Sequence, residues 1–288
     1  MCRRRNLSLA HELLRPVIII LLLSIFLLFT VHSNTKLMKT TRQATIPPAE
    51  PPLLILITPT GKRLERLADM TRVSQTLEHI DNIHWIVIED GNQTVPAVEN
   101  VLIRSKIPYI YLNTVSKPGF PKRGWSHRNL ALEFVRQNYQ NKSGVVYFAD
   151  DDNTYDKRIF DHYIRKVKKI GFWAVGLVGG AYVEAPNVEK GKIKSWNVVF
   201  APNRQFATDM AGFAVNLSLI LKMNATFSED CAKDYKKGPE SCFLAQFGLK
   251  KEQLEPFGYD ITPKEVLVWH TKTVRSRAKG SRYGYMVE

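Results

Sequence analysis

Cysteine is scarce in this chain of 288 residues, three in all, and acids are outnumbered by basic residues, 27 to 41. Cys2 lies in a basic N-terminus, where it is a candidate for acylation. Cys231 and Cys242 fall in a region expected to meet an oxidising compartment, and their spacing leaves open whether they pair. The net charge of +14 would suit nucleic acid, acidic glycans, sugar nucleotides or anionic lipid. The basic residues are scattered, and no helix-turn-helix, zinc-finger or RNP pattern accompanies them, so nucleic acid is not expected as a partner. No internal repeat is visible, which argues against a solenoid or propeller.

Apolar residues dominate from Val17 to Val31, interrupted only by Ser24 and Thr30, and Arg3, Arg4, Arg5 and Arg15 precede them. Basic residues on that flank keep it cytoplasmic. The sequence therefore predicts a tail over 1–15 and a signal-anchor span over 16–32, extended by Leu13 and Leu14. Such a length also fits a cleaved signal peptide ending at Val31-His32-Ser33. Residues 33–52 end in Pro47-Pro48-Ala49-Glu50-Pro51-Pro52 and read as a semi-rigid stem. Glycan acceptor triplets at Asn92, Asn141, Asn216 and Asn224 agree with a lumenal or extracellular bulk.

From Leu53 the chain alternates strand and helix. Strand readings fall on 53–57, 85–88, 109–112 and 145–149, with helical spacing over 64–80, 95–103 and 125–138. That alternation predicts an α/β fold with a mostly parallel, Rossmann-like sheet flanked by helices. Further strands are expected at Trp196–Phe200 and Asp209–Val215.

Chemistry gathers at strand ends. Val145 to Ala149 runs into Asp150-Asp151-Asp152, and carboxylates at the C-terminal end of such a strand stand where open α/β sheets bind ligands. Their mutual repulsion calls for a cation, and a hard divalent ion could bridge them to a nucleotide's phosphates. The alternative is a solvated acidic turn. Asp90 ends another strand, as a nucleotide acceptor or as the turn residue before Gly91. Arg123 and Arg128 flank a helix start, a plausible anion site.

Taken together these stretches resemble the β-1,3-glucuronosyltransferases, inverting glycosyltransferases with a GT-A-like fold and a C-terminal acceptor-binding lobe. The shared motifs are Thr58-Pro59-Thr60, Trp85 to Asp90, Arg123-Gly124 with Arg128-Asn129, Tyr147 to Tyr155, and Val175 to Gly180. Asp209 to Val215, Pro239-Glu240-Ser241 and Val266 to Thr271 complete the set, in order, over residues 53 to 273. The resemblance implies a UDP-sugar-binding lobe over 53–152 and an acceptor lobe with the catalytic base over 153–288. It further implies a homodimer and a single-pass type II Golgi membrane protein with a lumenal catalytic domain.

The same resemblance assigns roles. Asp152 would ligate Mn²⁺, and Asp150 and Asp151 would contact the donor's ribose and sugar. Asp90 would recognise uracil; Pro59, Arg123, Arg128, His270 and Lys272 would complete the UDP site, and Lys236 would meet the glucuronate carboxylate. Glu184, Phe200, Arg204 and Asp209 would hold the acceptor sugar. Glu240 would be the base of a single displacement that moves glucuronate from UDP-glucuronate to a terminal galactose, giving a β1-3 linkage, and its pKa is expected not to be strongly raised. Two departures stand out: Gly61 occupies the place of a uracil-stacking tyrosine, and Lys272 that of an arginine. They keep open a same-fold transferase with another UDP-sugar; a weakly active glycan-binding protein is the remaining alternative.

Overall fold

The computed structural model describes residue 16 and residues 19–28, 50–121, 124–233, 238–271, 273 and 274. The chain divides into two units, Met1–Ala49 and Glu50–Glu288. In the first, residues 19–28 are helical and exposed. Among the described residues no helix is long and apolar enough to cross a membrane. The tail, the stem up to residue 49 and the rest of the expected 16–32 span lie outside the described residues.

The second unit opens with β1 (Leu53–Thr60), α1 (Arg66–Leu77), β2 (Ile83–Asp90), α2 (Pro96–Ser105), β3 (Tyr109–Thr114), α3 (Trp125–Asn138) and β4 (Gly144–Phe148). After β5 (Thr154–Tyr155) and α4 (Arg158–His162) come β6 (Ile170–Phe172), β7 (Val175–Gly176), β8 (Val183–Glu189), β9 (Lys192–Asn197) and β10 (Phe213–Asn216). The chain continues through α5 (Leu217–Lys222), α6 (Glu229–Lys233), α7 (Pro239–Ala245), β11 (Glu255–Pro256) and β12 (Val268–Trp269).

Seven strands make the main sheet, in the order β11-β6-β10-β4-β1-β2-β3. β1 runs parallel to both β2 and β4, β2 is parallel to β3, and β10 is antiparallel to β4 and β6. The expected mostly parallel sheet is therefore present, and strands from beyond residue 152 continue it without a break. Its apolar runs are continuous because both faces are covered. Leu54 and Leu56 pack with Trp85, Val87 and Tyr147 on one side, while Ile55 and Ile57 pack with Ile86, Ile88 and Phe148 on the other. This is the two-residue alternation of a strand buried twice over. A second sheet, β5-β12-β7-β8-β9, carries the later residues.

Two strand expectations need correction. Trp196–Phe200 is not a strand throughout: β9 ends at Asn197, and Phe200 is exposed before a turn at Ala201 (φ +42°). Asp209–Val215 begins as a single 3₁₀ turn over Met210–Gly212, because the Asp209 carboxylate accepts the Ala211 N–H at 2.9 Å; the strand starts only at Phe213. A short polar side chain at such a position caps a turn more readily than it joins a ladder.

Candidate active site

Parallel register brings Thr60, Asp90 and the segment after Phe148 to one edge of the main sheet. There they border a cleft of about 810 Å³, whose far side is lined by Glu184, Phe200, Arg204, Asp209, Glu240 and His270. Twelve of the residues singled out from the sequence line it: Pro59, Asp90, Arg128, Asp150, Asp151, Asp152, Glu184, Phe200, Arg204, Asp209, Glu240 and His270. Arg123, Lys236 and Lys272 lie outside the described residues.

The three successive carboxylates are held differently. Asp150 is paired with Arg128, which lies in the first turn of α3. Asp151 is buried, accepts a 2.7 Å hydrogen bond from the Thr60 hydroxyl and pairs with Arg63 at 2.9 Å. Burial pushes its pKa up, and Arg63 and Thr60 pull it partly back. For Asp152 only the backbone carbonyl accepts hydrogen bonds among the described residues, from Arg72 at 3.1 Å and from the Thr271 hydroxyl. Its carboxyl is pushed up to about 6, by burial first and then by the charges of Asp151 and Asp150.

Across the cleft, Glu240 sits in the first turn of α7, entered through Gly238 at φ +66°. A Cβ at Gly238 would stand 2.6 Å from an Arg204 guanidinium nitrogen and 3.2 Å from Glu240 Oε2, so this approach requires glycine on two counts. Arg204 reaches Glu240 Oε2 at 3.4 Å and lies 5.1 Å above the Phe200 ring. The expectation of an ordinary carboxylate is not met. Burial, reinforced by Asp209, pushes Glu240 up to about 7, and an Arg204 at 3.4 Å is too distant to reverse it. A base poised near neutral pH is well matched to proton abstraction. Asp209 also approaches His270 Nδ1 at 3.1 Å and, through that contact above all, raises the imidazole to about 9, leaving it cationic at neutral pH. Glu184 is likewise pushed up by burial, and one of its oxygens has no hydrogen-bond partner among the described residues.

Sequence reasoning missed Arg63 and His127, which also line the cleft. Arg63 follows the strand-ending Thr58-Pro59-Thr60 by three residues, and only the fold reveals that it turns back to Asp151. His127 sits between the residues of the basic turn and was visible only as its neighbour.

Among the described residues no group of three His, Cys, Asp or Glu side chains forms a ready-made metal cage. The donor chemistry nonetheless suits one hard cation. Two of the three carboxylates already face arginine, and the third, Asp152, is raised by its like-charged neighbours.

Residues 73–274 match the domain of glycosyltransferase family 43. Over 240 residues the chain is 44% identical to galactosylgalactosylxylosylprotein 3-beta-glucuronosyltransferase sqv-8 of Caenorhabditis elegans, covering 78% of this chain and 65% of that protein. It is 38% identical over 237 residues to galactosylgalactosylxylosylprotein 3-beta-glucuronosyltransferase 1 of Rattus norvegicus, covering 77% and 69%. With galactosylgalactosylxylosylprotein 3-beta-glucuronosyltransferase 3 of Mus musculus the identity is 36% over 257 residues, covering 81% and 75%. The match thus spans just under two thirds of the nematode protein. The chain belongs to glycosyltransferase family 43.

Proposed function

We propose that this protein transfers glucuronate from UDP-glucuronate to a terminal galactose of a glycan, with inversion, to give a β1-3 linkage. The observation that carries the reading is a single cleft with a row of strand-end carboxylates on one side and a near-neutral Glu240 on the other. The family and the names of the relatives supply the sugar and the acceptor. In this reading the galactose hydroxyl oxygen attacks the anomeric carbon as the bond to UDP breaks and UDP leaves with the electron pair. Glu240 takes the hydroxyl proton, Asp209 and Glu184 hold the sugar's other hydroxyls, and Phe200 offers a ring face to it. The His270 cation and Arg128 face the departing diphosphate, where negative charge grows.

Asp152 is the residue we assign to Mn²⁺, which when bound would neutralise diphosphate charge. Membrane anchoring in the Golgi through 16–32 and homodimer formation belong to the same proposal, supported by the apolar run with its basic flank and by the resemblance. The test incubates the protein with Mn²⁺ and a panel of UDP-sugars, with and without galactose-terminated acceptors. Transfer of glucuronate alone supports the reading. Transfer of a different sugar favours the same-fold alternative, which Gly61 keeps in view, and no transfer with intact glycan binding overturns both. In the same material Asp152→Ala is expected to abolish transfer and to weaken UDP binding measured calorimetrically with Mn²⁺. Unchanged affinity would remove Asp152 from the metal site.

A further inference from the structure

His127 is buried to 2% exposure, yet it borders the cleft. It occupies the first turn of α3, where Trp125 and Arg128 are buried beside it. Neither of its ring nitrogens completes a well-aligned hydrogen bond among the described residues, although the Asp90 carboxylate and the Thr114 backbone both approach the ring. Its Nε2 nevertheless stands 3.3 Å from Asp90 Oδ1. A buried donor left in this state is costly and needs a reason in the site, such as a catalytic or binding role or an ordered water. Burial lowers the imidazole's pKa, and Asp90 and then the Thr114 backbone only partly oppose this, so the ring is neutral at neutral pH, with a single N–H that faces Asp90 in one tautomer and the Thr114 backbone in the other.

The two oxygens of Asp90 face different things. Oδ1 is turned to His127, while Oδ2 lies toward Gly61, 4.0 Å from where a Cβ there would stand. Gly61 carries no side chain, so that side of the carboxylate is open to the cleft.

We propose that His127 is a positioning residue for base recognition: its Nε2–H holds Asp90 Oδ1, so that Oδ2 is presented to the N3–H of a uracil ring. This rests on the UDP-donor reading above. Uracil offers a donor at N3, whereas cytosine offers a lone pair there. A carboxylate locked in place therefore accepts from the first and repels the second, and one free to rotate discriminates less. Catalytic-site hydrogen bonds that are long without ligand tighten when it binds, which accounts for the imperfect alignment at 3.3 Å.

The experiment measures UDP and CDP affinities, with Mn²⁺ present, for the wild-type protein, His127→Phe and His127→Gln. Glutamine keeps a side-chain donor; phenylalanine keeps the ring and loses both nitrogens. His127→Phe is expected to weaken UDP roughly tenfold while leaving CDP nearly unchanged, so that preference for UDP falls by the same factor. His127→Gln is expected to stay within about threefold of wild type for UDP. The proposal is overturned by a His127→Phe protein that keeps its UDP affinity, by equal losses for UDP and CDP, or by a glutamine variant no better than phenylalanine. Should the phenylalanine variant not fold, ¹⁵N spectra of the wild-type imidazole decide. UDP, but not inorganic diphosphate, is expected to shift a protonated Nε2, and an unprotonated or unresponsive Nε2 overturns the assignment. A preference for UDP that is the same in the wild type and the phenylalanine variant defeats this inference alone. One that binds neither nucleotide defeats the donor reading as well.

Discussion

At the scale of single residues, the proposed function makes Glu240 decide both rate and a part of stability. Glu240→Gln keeps size and hydrogen bonding but cannot take a proton, so kcat is expected to fall by roughly 10²-fold or more, with UDP affinity nearly unchanged. If Glu240 is the base, its ionised form is the active one, and with its pKa pushed up to about 7, kcat/KM of the wild type should climb through pH 7 and level off above it. The stability consequence has the opposite sign. Between the ordinary value of 4.5 and about 7 the folded protein holds a proton that the unfolded chain has released, so stability falls as pH rises through that window. Glu240→Gln should thus melt at a higher temperature than wild type above pH 7 and at about the same temperature near pH 4. Equal melting temperatures at both ends would mean the carboxyl is not strained by its burial. Gly61 makes a second test. Its φ lies outside the left-handed region, and an added Cβ would meet Asp90 Cβ at an ordinary 3.4 Å. Gly61→Tyr should therefore be accepted without backbone strain and tighten UDP binding. Base–aromatic stacking of about 1–3 kcal/mol corresponds to roughly five- to a hundred-fold. No gain in an unstrained variant would mean uracil sits elsewhere or is already covered.

At the scale of elements, the site depends on two helix entries of different kinds. α3 begins at Gly124, φ +76°, where a Cβ would stand 2.7 Å from an Arg128 nitrogen and 3.0 Å from Pro59. α7 begins at Gly238 and is tied back to α6 by the Cys231–Cys242 disulfide, with Cα atoms 5.8 Å apart and Cys231 buried. Sequence spacing left that pairing open. The bond closes a loop that leads directly to Glu240, so Cys231→Ser with Cys242→Ser should cost about 2–4 kcal/mol of stability and raise KM for the acceptor more than Kd for UDP. A melt paired with separate donor and acceptor titrations checks it, and equal effects on both substrates would reduce the bond to a general brace.

Legibility in the sequence divides along similar lines. β1, β2, β4 and α3 are readable because a strand buried on both faces is a plain apolar run, and an amphipathic helix has its own period. Phe200 and Asp209 were placed in strands because an apolar run looks the same whether it pairs or turns outward; Ala201 at φ +42° and the cap on Ala211 are tertiary choices that composition does not display. Asp90, Asp150, Asp151 and Asp152 were found because they end strands. Glu240 came only through family resemblance, since one glutamate in a helix looks like any other. Arg63 and His127 were missed because their importance lies in what they touch, at 2.9 Å and 3.3 Å, and not in any spacing along the chain.

At the scale of the whole molecule, the glycan acceptor triplets at Asn92, Asn141, Asn216 and Asn224 are not equivalent. Asn216 donates its amide to the Val167 carbonyl at 3.0 Å and accepts from Ser218 N–H at 3.0 Å, whereas Asn92, Asn141 and Asn224 are exposed. Protein made through a secretory pathway should carry glycan at some of the last three and none at Asn216. Peptide mass mapping checks this, and occupancy at Asn216 would mean the sugar is added before that strand folds.

The place of β10 has a consequence for synthesis. It fills the gap between β4 and β6, although it leaves the ribosome long after β4 does. Until Phe213–Asn216 emerges, the nascent chain presents Gly144–Phe148 as an open edge of unpaired amides and carbonyls, rich in valine and aromatic residues. Such an edge recruits whatever strand is nearest. Chains stalled or cut after the aspartate cluster should therefore self-associate, and residues 53–152 expressed by themselves should aggregate. That one edge must be shielded while the remainder of the polypeptide is translated.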